Sequence, residues 1–300
     1  MSIYLEIRIR GSMDELWEKT QQPSLHQRWD LRFSEIAYLP REAGQAQKFL
    51  YATGIGAGLR IEGAGESTGE RDDATGQRTS ALKFRSDDPK SLIAAGSGYW
   101  EYVPTSDGIR FVTWYDYRVR FGAVGRALDW GFRPLIGWAT AWSFDRLRLW
   151  IERGVPPEVS RTHALIYTIA RAAVAFVWLY HGLVPKLLFH NADELRMISR
   201  VAVPGVPTKT AIALAGGLEV CVGLLVLVCW KSRWPLWLTI LLMMLALIGV
   251  AASSPEYLTG AFNPVTLNLS VAALAALAWL ARKNIPTASA CLRRPPQEAS

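Results

Sequence analysis

The chain has 300 residues, half of them hydrophobic and a fifth charged, enough for about two domains. Its formal net charge of +7 comes from scattered Lys and Arg, and no zinc or helix-turn-helix spacing occurs. Neither a nucleic-acid partner nor a metal site is therefore expected. Three cysteines exclude a disulfide framework. The mean hydropathy of +0.12 averages two unlike halves, because Asp and Glu are dense before residue 160 and sparse after it.

The opening segment lacks an apolar core and carries acids early, so it is not read as a signal peptide, and the first half is expected in the cytoplasm. In residues 3–10, Ile3, Leu5, Ile7 and Ile9 alternate with polar partners, the pattern of a half-buried strand. Ser12 with Glu15 three residues on reads as a capping box opening a short helix, and Pro23 opens a second through Trp29. Strand-like runs follow near 33–39, 47–53, 59–66, 77–84, 98–103 and 109–121. In the last run Phe111, Thr113, Tyr115, Tyr117, Val119 and Phe121 share one face. From Gly122 to Glu152 the period becomes helical, with Gly131 and Pro134 placed to bend or interrupt the helix.

No catalytic constellation stands out. His26 and Asp30 share a helical face, and His26 is read as a surface histidine. Gly54, Gly56 and Gly58 do not complete a dinucleotide fingerprint and are read as strand-loop glycines.

Four apolar windows follow: Ala164–Leu183, Thr210–Trp230, Trp234–Ala252 and Phe262–Ala281. Each is about the ~20 residues that a ~30 Å hydrocarbon layer requires, and spanning segments must be helical to satisfy their own backbone groups. Cys221 and Cys229 share a face of the second window but lie ~12 Å apart along it, too far for a disulfide. Cys291 falls in a polar tail. Arg153, Arg161, Lys231, Arg233, Arg282, Lys283, Arg293 and Arg294 outweigh the loop containing Lys186, Arg196, Arg200 and Lys209. Both termini and the first domain are therefore expected on the cytoplasmic side of the inner (plasma) membrane.

Charges within the windows are costly and call for roles. Arg171 and Glu219 fall at about equal depth in antiparallel first and second helices. An ion pair is expected there, either fixing register or forming a polar pocket for a headgroup, a quinone or a proton. His181 and Lys186 flank Gly182 and Pro185 near the end of the first window, as a terminating turn or as a relay site. Asn263 reads as a helix cap, and Asn268 as an interhelical hydrogen-bonding group.

Two family resemblances accompany this reading. The first strand, the segment SMDELWEKTQQPSLHQRWD with Trp17 and Trp29, and the closing helix ending FDRLRLWIERG resemble the START-like, polyketide-cyclase-like (SRPBCC) helix-grip domain over about 1–153. The resemblance implies a curved antiparallel sheet around a long helix, and an apolar cavity for a hydrophobic small molecule or lipid. Phe84, Tyr99, Trp114, Tyr115 and Trp142 are candidates either to line that cavity or simply to fill a core. The segments RAAVAFVWLYHGLVPKLLF, GGLEVCVGLLVL and FNPVTLNL resemble the DoxX-like membrane family over about 162–283. Some members of that family are associated with thiosulfate:quinone oxidoreductase or other membrane redox assemblies. The resemblance marks Arg171, His181, Lys186 and Glu219 as pattern positions, with quinone as the one cofactor it brings into view and redox subunits as partners.

The expected fold class is thus α+β: a helix-grip sheet domain at 1–155, a four-helix transmembrane bundle at 162–283 and a polar tail at 284–300. Three functions are weighed: a membrane protein binding a hydrophobic ligand, a quinone-linked subunit of an oxidoreductase complex, and a non-catalytic anchor.

Overall fold

A computed structural model describes residues 2–42, 44–56, 58–201 and 204–295. Two compact units emerge. One holds the residues up to Arg161 together with those from Pro286 onward, and the other is Thr162–Ile285.

The first unit opens with β1 (Ile3–Ile9), α1 (Met13–Gln21) and α2 (Pro23–Trp29). Six strands follow: β2 (Glu35–Tyr38), β3 (Lys48–Gly56), β4 (Leu59–Asp72), β5 (Arg78–Arg85), β6 (Ile93–Thr105) and β7 (Gly108–Val119). The long α3 (Gly122–Arg153) closes the run. The strands form one antiparallel sheet in the order β1-β7-β6-β5-β4-β3-β2. From β2 to β7 each strand pairs with its neighbour in the chain, and β1 pairs with the free edge of β7.

Local chemistry explains the elements. Ser12 Oγ accepts from Glu15 N at 3.2 Å, as its N-cap position requires, while the Glu15 side chain turns to Lys19 at 3.0 Å instead of back to the cap. Pro23 starts α2, where its missing N–H costs nothing. β4 extends to Asp72, well past the expected residue 66. Its polar end Ser67–Asp72 has little strand propensity of its own and is held by pairing with β5 across an irregularity at Ser67/Gly69. Pro134 sits inside α3 without interrupting it, and Gly154, at φ +63, ends it in the left-handed conformation that favours glycine.

The core lies between one face of the sheet and the second half of α3. Phe111 and Phe144 stack at 4.5 Å, with Leu5, Ile7, Leu16, Trp29 and Leu147 buried around them. Full burial of such side chains stabilises by ~1.5–3 kcal/mol each. Tyr102 is buried with its hydroxyl bonded to Thr20 at 2.7 Å and to Gln21 at 2.9 Å. Part of the expected polar tail joins this unit. Leu292 forms a β-bridge with Glu6, Thr287 N donates to Asp145 at 2.7 Å, and Cys291 is buried with its Sγ 3.4 Å from Ala141 O. Burial, with Asp145 adding to it, pushes the Cys291 thiol up to about 12. Residues 296–300 of that tail lie outside the described residues.

The second unit contains α4 (Pro157–His181), which begins in the first unit and runs directly into a π-helical turn (Gly182–Leu188). α5 (Ala192–Val201), α6 (Thr208–Val228), α7 (Trp234–Ser253) and α8 (Pro264–Ala281) follow. Among the described residues four helical segments are long and apolar enough to cross a membrane, matching the four expected windows. Asn263 caps α8 by accepting from Thr266 N at 3.0 Å, as its position ahead of Pro264 predicts. Inward, Tyr167, Val174, Val222, Leu236, Val271 and Ala275 form the core. Outward, Ile169, Phe176, Val228 and Ile248 are exposed, the arrangement of a bundle whose solvent is lipid. The architecture is therefore α+β: a sheet gripping a helix, followed by a four-helix transmembrane bundle.

Candidate functional site

Strand alternation sorts the sheet unit's aromatics. On β7 the inward set is Ile109, Phe111, Thr113, Tyr115, Tyr117 and Val119, as the alternation predicts. Trp114 has the opposite parity. It stacks on its cross-strand partner Tyr99 at 6.1 Å on the outer face, where the two are 37% and 36% exposed. Tyr99 and Trp114 therefore do not line a space between sheet and helix, which corrects the expected cavity. Trp142 stacks on Trp138 and lies against Arg146, beside the core. Tyr115 is buried with its hydroxyl 2.9 Å from Thr140 Oγ1.

The inner face carries glycines opposite rings. A Cβ at Gly63 would meet the Tyr51 ring at 2.3 Å, one at Gly65 the Phe49 ring at 2.3 Å, and one at Gly96 the Phe84 ring at 2.4 Å. The rings lie flat on the neighbouring strand, and only glycine leaves room for them. A cavity of about 780 Å³ crosses β3–β7 at this level. By register its lining residues Lys83, Ala95 and Asp116 belong to the outer face, on the opposite side of the sheet from the rings of Phe49, Phe84 and Tyr117, and among the described residues none of α3 lines it. Of the five candidate lining residues, Phe84 is the one in its wall, with its ring turned to the inner-face Gly96.

A buried polar cluster lies on α2 and the turn after it. His26 Nε2 is 3.0 Å from Asp30 Oδ2, and Arg32 holds the same carboxylate with two bonds of 2.9 and 2.6 Å. His26 is enclosed by Trp29, Phe33 and Trp100 at ring distances of 4.9, 5.3 and 5.0 Å, so the surface reading is corrected. Burial lowers the His26 pKa against the opposing pull of Asp30. Burial alone would raise the Asp30 carboxyl. Arg32 and His26 outweigh it and hold the group below the usual carboxylate range. The signal for this site in the sequence was the i,i+4 His–Asp spacing; Trp100, far along the chain, completes the enclosure.

Within the bundle the expected Arg171–Glu219 pair does not form. Arg171 is fully buried and donates to Val226 O at 2.7 Å, Cys229 O at 2.6 Å, Ser232 O at 2.9 Å and Tyr167 Oη at 2.6 Å. These carbonyls belong to the last turn of α6 and the loop after it, where a cation also meets the negative end of the helix dipole. The physical reason is register. The π-turn prolongs the first span to Leu188, so α6 pairs further along than equal-length windows imply. Gly182 faces Gly216 and Val220, while Gly223 faces Leu179 and Ala175.

Glu219 instead meets Lys186. Lys186 Nζ lies 3.1 Å from Glu219 and 3.2 Å from Glu194 of α5. The glycines make this possible. A Cβ on Gly182 would come within 2.6 Å of Gly216 O, and one on Gly216 within 2.9 Å of the Lys186 Cβ, so the two segments touch backbone to backbone. Lys186 is four residues past Gly182 and Glu219 three past Gly216 on antiparallel helices, so the two flank the contact and the long Lys186 side chain reaches back along it to the carboxylate. Pro185 lies inside the π-turn, where bonds such as Phe189 N to Val184 O span five residues. The HGxxPK and GGLE motifs are thus two halves of one contact. His181 immediately precedes the turn and packs against Tyr180 at 6.1 Å. Asn268 is buried along α8 with Val271 and Ala275. Among the described residues no His, Cys, Asp and Glu grouping could hold a metal.

These features define an integral membrane protein: a sheet unit gripping a long helix, followed by a bundle of apolar helices with a DoxX-like region. A model of the DoxX-like family matches residues 175–276. The chain is 47% identical over 182 residues to the uncharacterized membrane protein YndG of Bacillus subtilis (strain 168), a match covering 60% of this chain and 68% of YndG. The chain belongs to the same family as YndG. Among solved structures it is similar to a STAR-related lipid transfer protein from Xanthomonas axonopodis, at 14% identity and TM-score 0.40 over 51% of this chain and 86% of that one. Another is the protein MLL2253 from Mesorhizobium loti, at 16% identity and TM-score 0.37 over 51% and 98%. A third is the Zhui aromatase/cyclase from Streptomyces sp. R1128, at 14% identity and TM-score 0.33 over 41% and 71%.

Proposed function

We propose that this membrane protein binds a hydrophobic small molecule or lipid in its sheet unit, on the cytoplasmic side of the inner membrane. The observation carrying the reading is the cavity of about 780 Å³ across β3–β7, within the size range of small-molecule sites and bordered by small and charged side chains of the outer face. Ala64 and Ala95 leave room for an apolar body, and Lys83 and Asp116 on the same face offer polar anchors. The test is binding of a fluorescent apolar probe to the whole protein in nanodiscs. Ala64→Trp, which puts an indole into the lining, is expected to abolish saturable binding, and equal binding by the variant sinks the reading.

The Lys186–Glu194–Glu219 cluster supports a second reading, a quinone-linked subunit working with redox partner subunits. A charged group held within a membrane bundle is expensive and invites a functional role. Photolabelling of nanodisc samples with an azidoquinone should mark the π-turn under this reading, and labelling indifferent to Lys186→Met would remove it. A chain failing both tests is an anchor.

A further inference from the structure

The first half of α3 presents an exposed surface without an acid. Among residues 121–138 the exposed apolar side chains include Val124, Leu128, Trp130, Leu135 and Trp138. At 100° per residue these fall on one half of the helix, together with Ala123, Ala127 and Pro134. Trp130 is 88% exposed. The one exposed charge in this stretch is Arg126, beside the Trp130 rim, because Asp129 and Arg133 are partly buried and paired at 2.9 Å. This is not the face that meets the sheet, where Gly125, Phe132 and Ile136 turn inward. Phe121, just before the helix, is held at φ +68, a conformation that costs ~1–2 kcal/mol for a residue with a Cβ.

We propose that this face of α3 docks on the surface of the bilayer that the chain itself spans. Three observations select lipid as the occupant. The first is the tether: only residues 154–156 separate the end of α3 from the helix that runs into the first span, so the chain between them is short. The second is composition, since exposed indoles with aliphatic side chains and a basic rim are what the headgroup boundary accepts. The third is charge. Residues 117–128 carry Arg118, Arg120 and Arg126 and no acid, which complements anionic headgroups.

The test uses the full chain in nanodiscs containing phosphatidylglycerol and phosphatidylcholine, with Cys221 and Cys229 replaced by Ala. A bimane is attached at Leu128→Cys and, as a control, at Ser106→Cys in the exposed β6–β7 turn. Doxyl lipids are expected to quench the bimane at 128 and spare the one at 106. Trp130→Asp with Leu135→Asp should cut quenching at 128 by at least about threefold, because an acid at the interface opposes insertion. Replacing all phosphatidylglycerol by phosphatidylcholine should weaken it as well. Thermal melting of the double variant checks that the sheet unit stays folded, as both positions are exposed. Equal quenching at 128 and 106 overturns the proposal. So does a label at 128 shielded from both doxyl lipid and aqueous iodide, which would point to a protein partner or a second copy.

Discussion

Two buried arginines, one in each unit, meet the same problem with the same acceptors. In the sheet unit Arg146 donates to Arg28 O, Trp29 O and Pro157 O at 2.9–3.1 Å. In the bundle Arg171 donates to Val226 O, Cys229 O and Ser232 O. Each clamps the end of a helix, α2 or α6, to a neighbouring segment. The best-placed acids pair elsewhere, as Asp30–Arg32 and Lys186–Glu219. The difference lies in the surroundings. Arg146 lies against the Trp142 ring, and burial, helped by Arg161, pulls it down to about 10; Arg171 has the Tyr167 hydroxyl and the rings of Tyr167 and Trp230 against its guanidinium. The lesson is that a buried cation does not by itself imply a buried anion. Helix-end carbonyls can serve, and the fork geometry of arginine suits them.

The largest expected effect is at Asp30. Asp30→Ala leaves Arg32 and His26 without their shared acceptor in a closed interior and should cost about 3–5 kcal/mol, read as the urea midpoint of the sheet unit's tryptophan signal. The two clamps come next. Arg146→Met and Arg171→Met each strand several buried carbonyls and should cost about 2–4 kcal/mol, seen as a lower thermal midpoint in detergent. Arg171→Lys should fail to restore it, since one ammonium cannot span acceptors from Val226 to Ser232. Full rescue by lysine would break the parallel between the units.

Smaller is Glu219→Gln. Lys186 keeps Glu194, so the loss should be about 1 kcal/mol and not the several expected had Glu219 been the partner of Arg171. A collapse of the bundle in this variant would restore the original pairing. Smallest is a pH effect. His26 has its pKa lowered, so below its unfolded value of about 6.5 the unfolded chain binds more protons than the folded one. Stability must then fall as pH drops from 7 towards 5. Thermal melts should show this slope in the wild type and a shallower one in His26→Gln, and identical slopes would place the titrating group elsewhere.

Much of the fold was legible because it follows from periodicity and punctuation: the alternation of Ile3–Ile9 and Phe111–Val119, the caps Ser12 and Asn263, and the length of the apolar windows. Even the outward parity of Trp114 was legible, since Thr113 and Tyr115 already defined the inner face. Register was not. Whether Arg171 meets Glu219 depends on how far the first span continues past Gly182, and a π-turn around Pro185 has no period to announce it. The aromatic box around His26 was equally hidden, because Trp100 arrives from β6 and only the folded sheet brings it there.

The measurement closest to the centre of this account is native mass spectrometry of the whole protein released from nanodiscs. The wild type should carry one apolar molecule that survives removal of annular lipid, and Ala64→Trp should carry none. A wild type released bare, or a variant retaining the same adduct, would contradict ligand binding in the sheet unit.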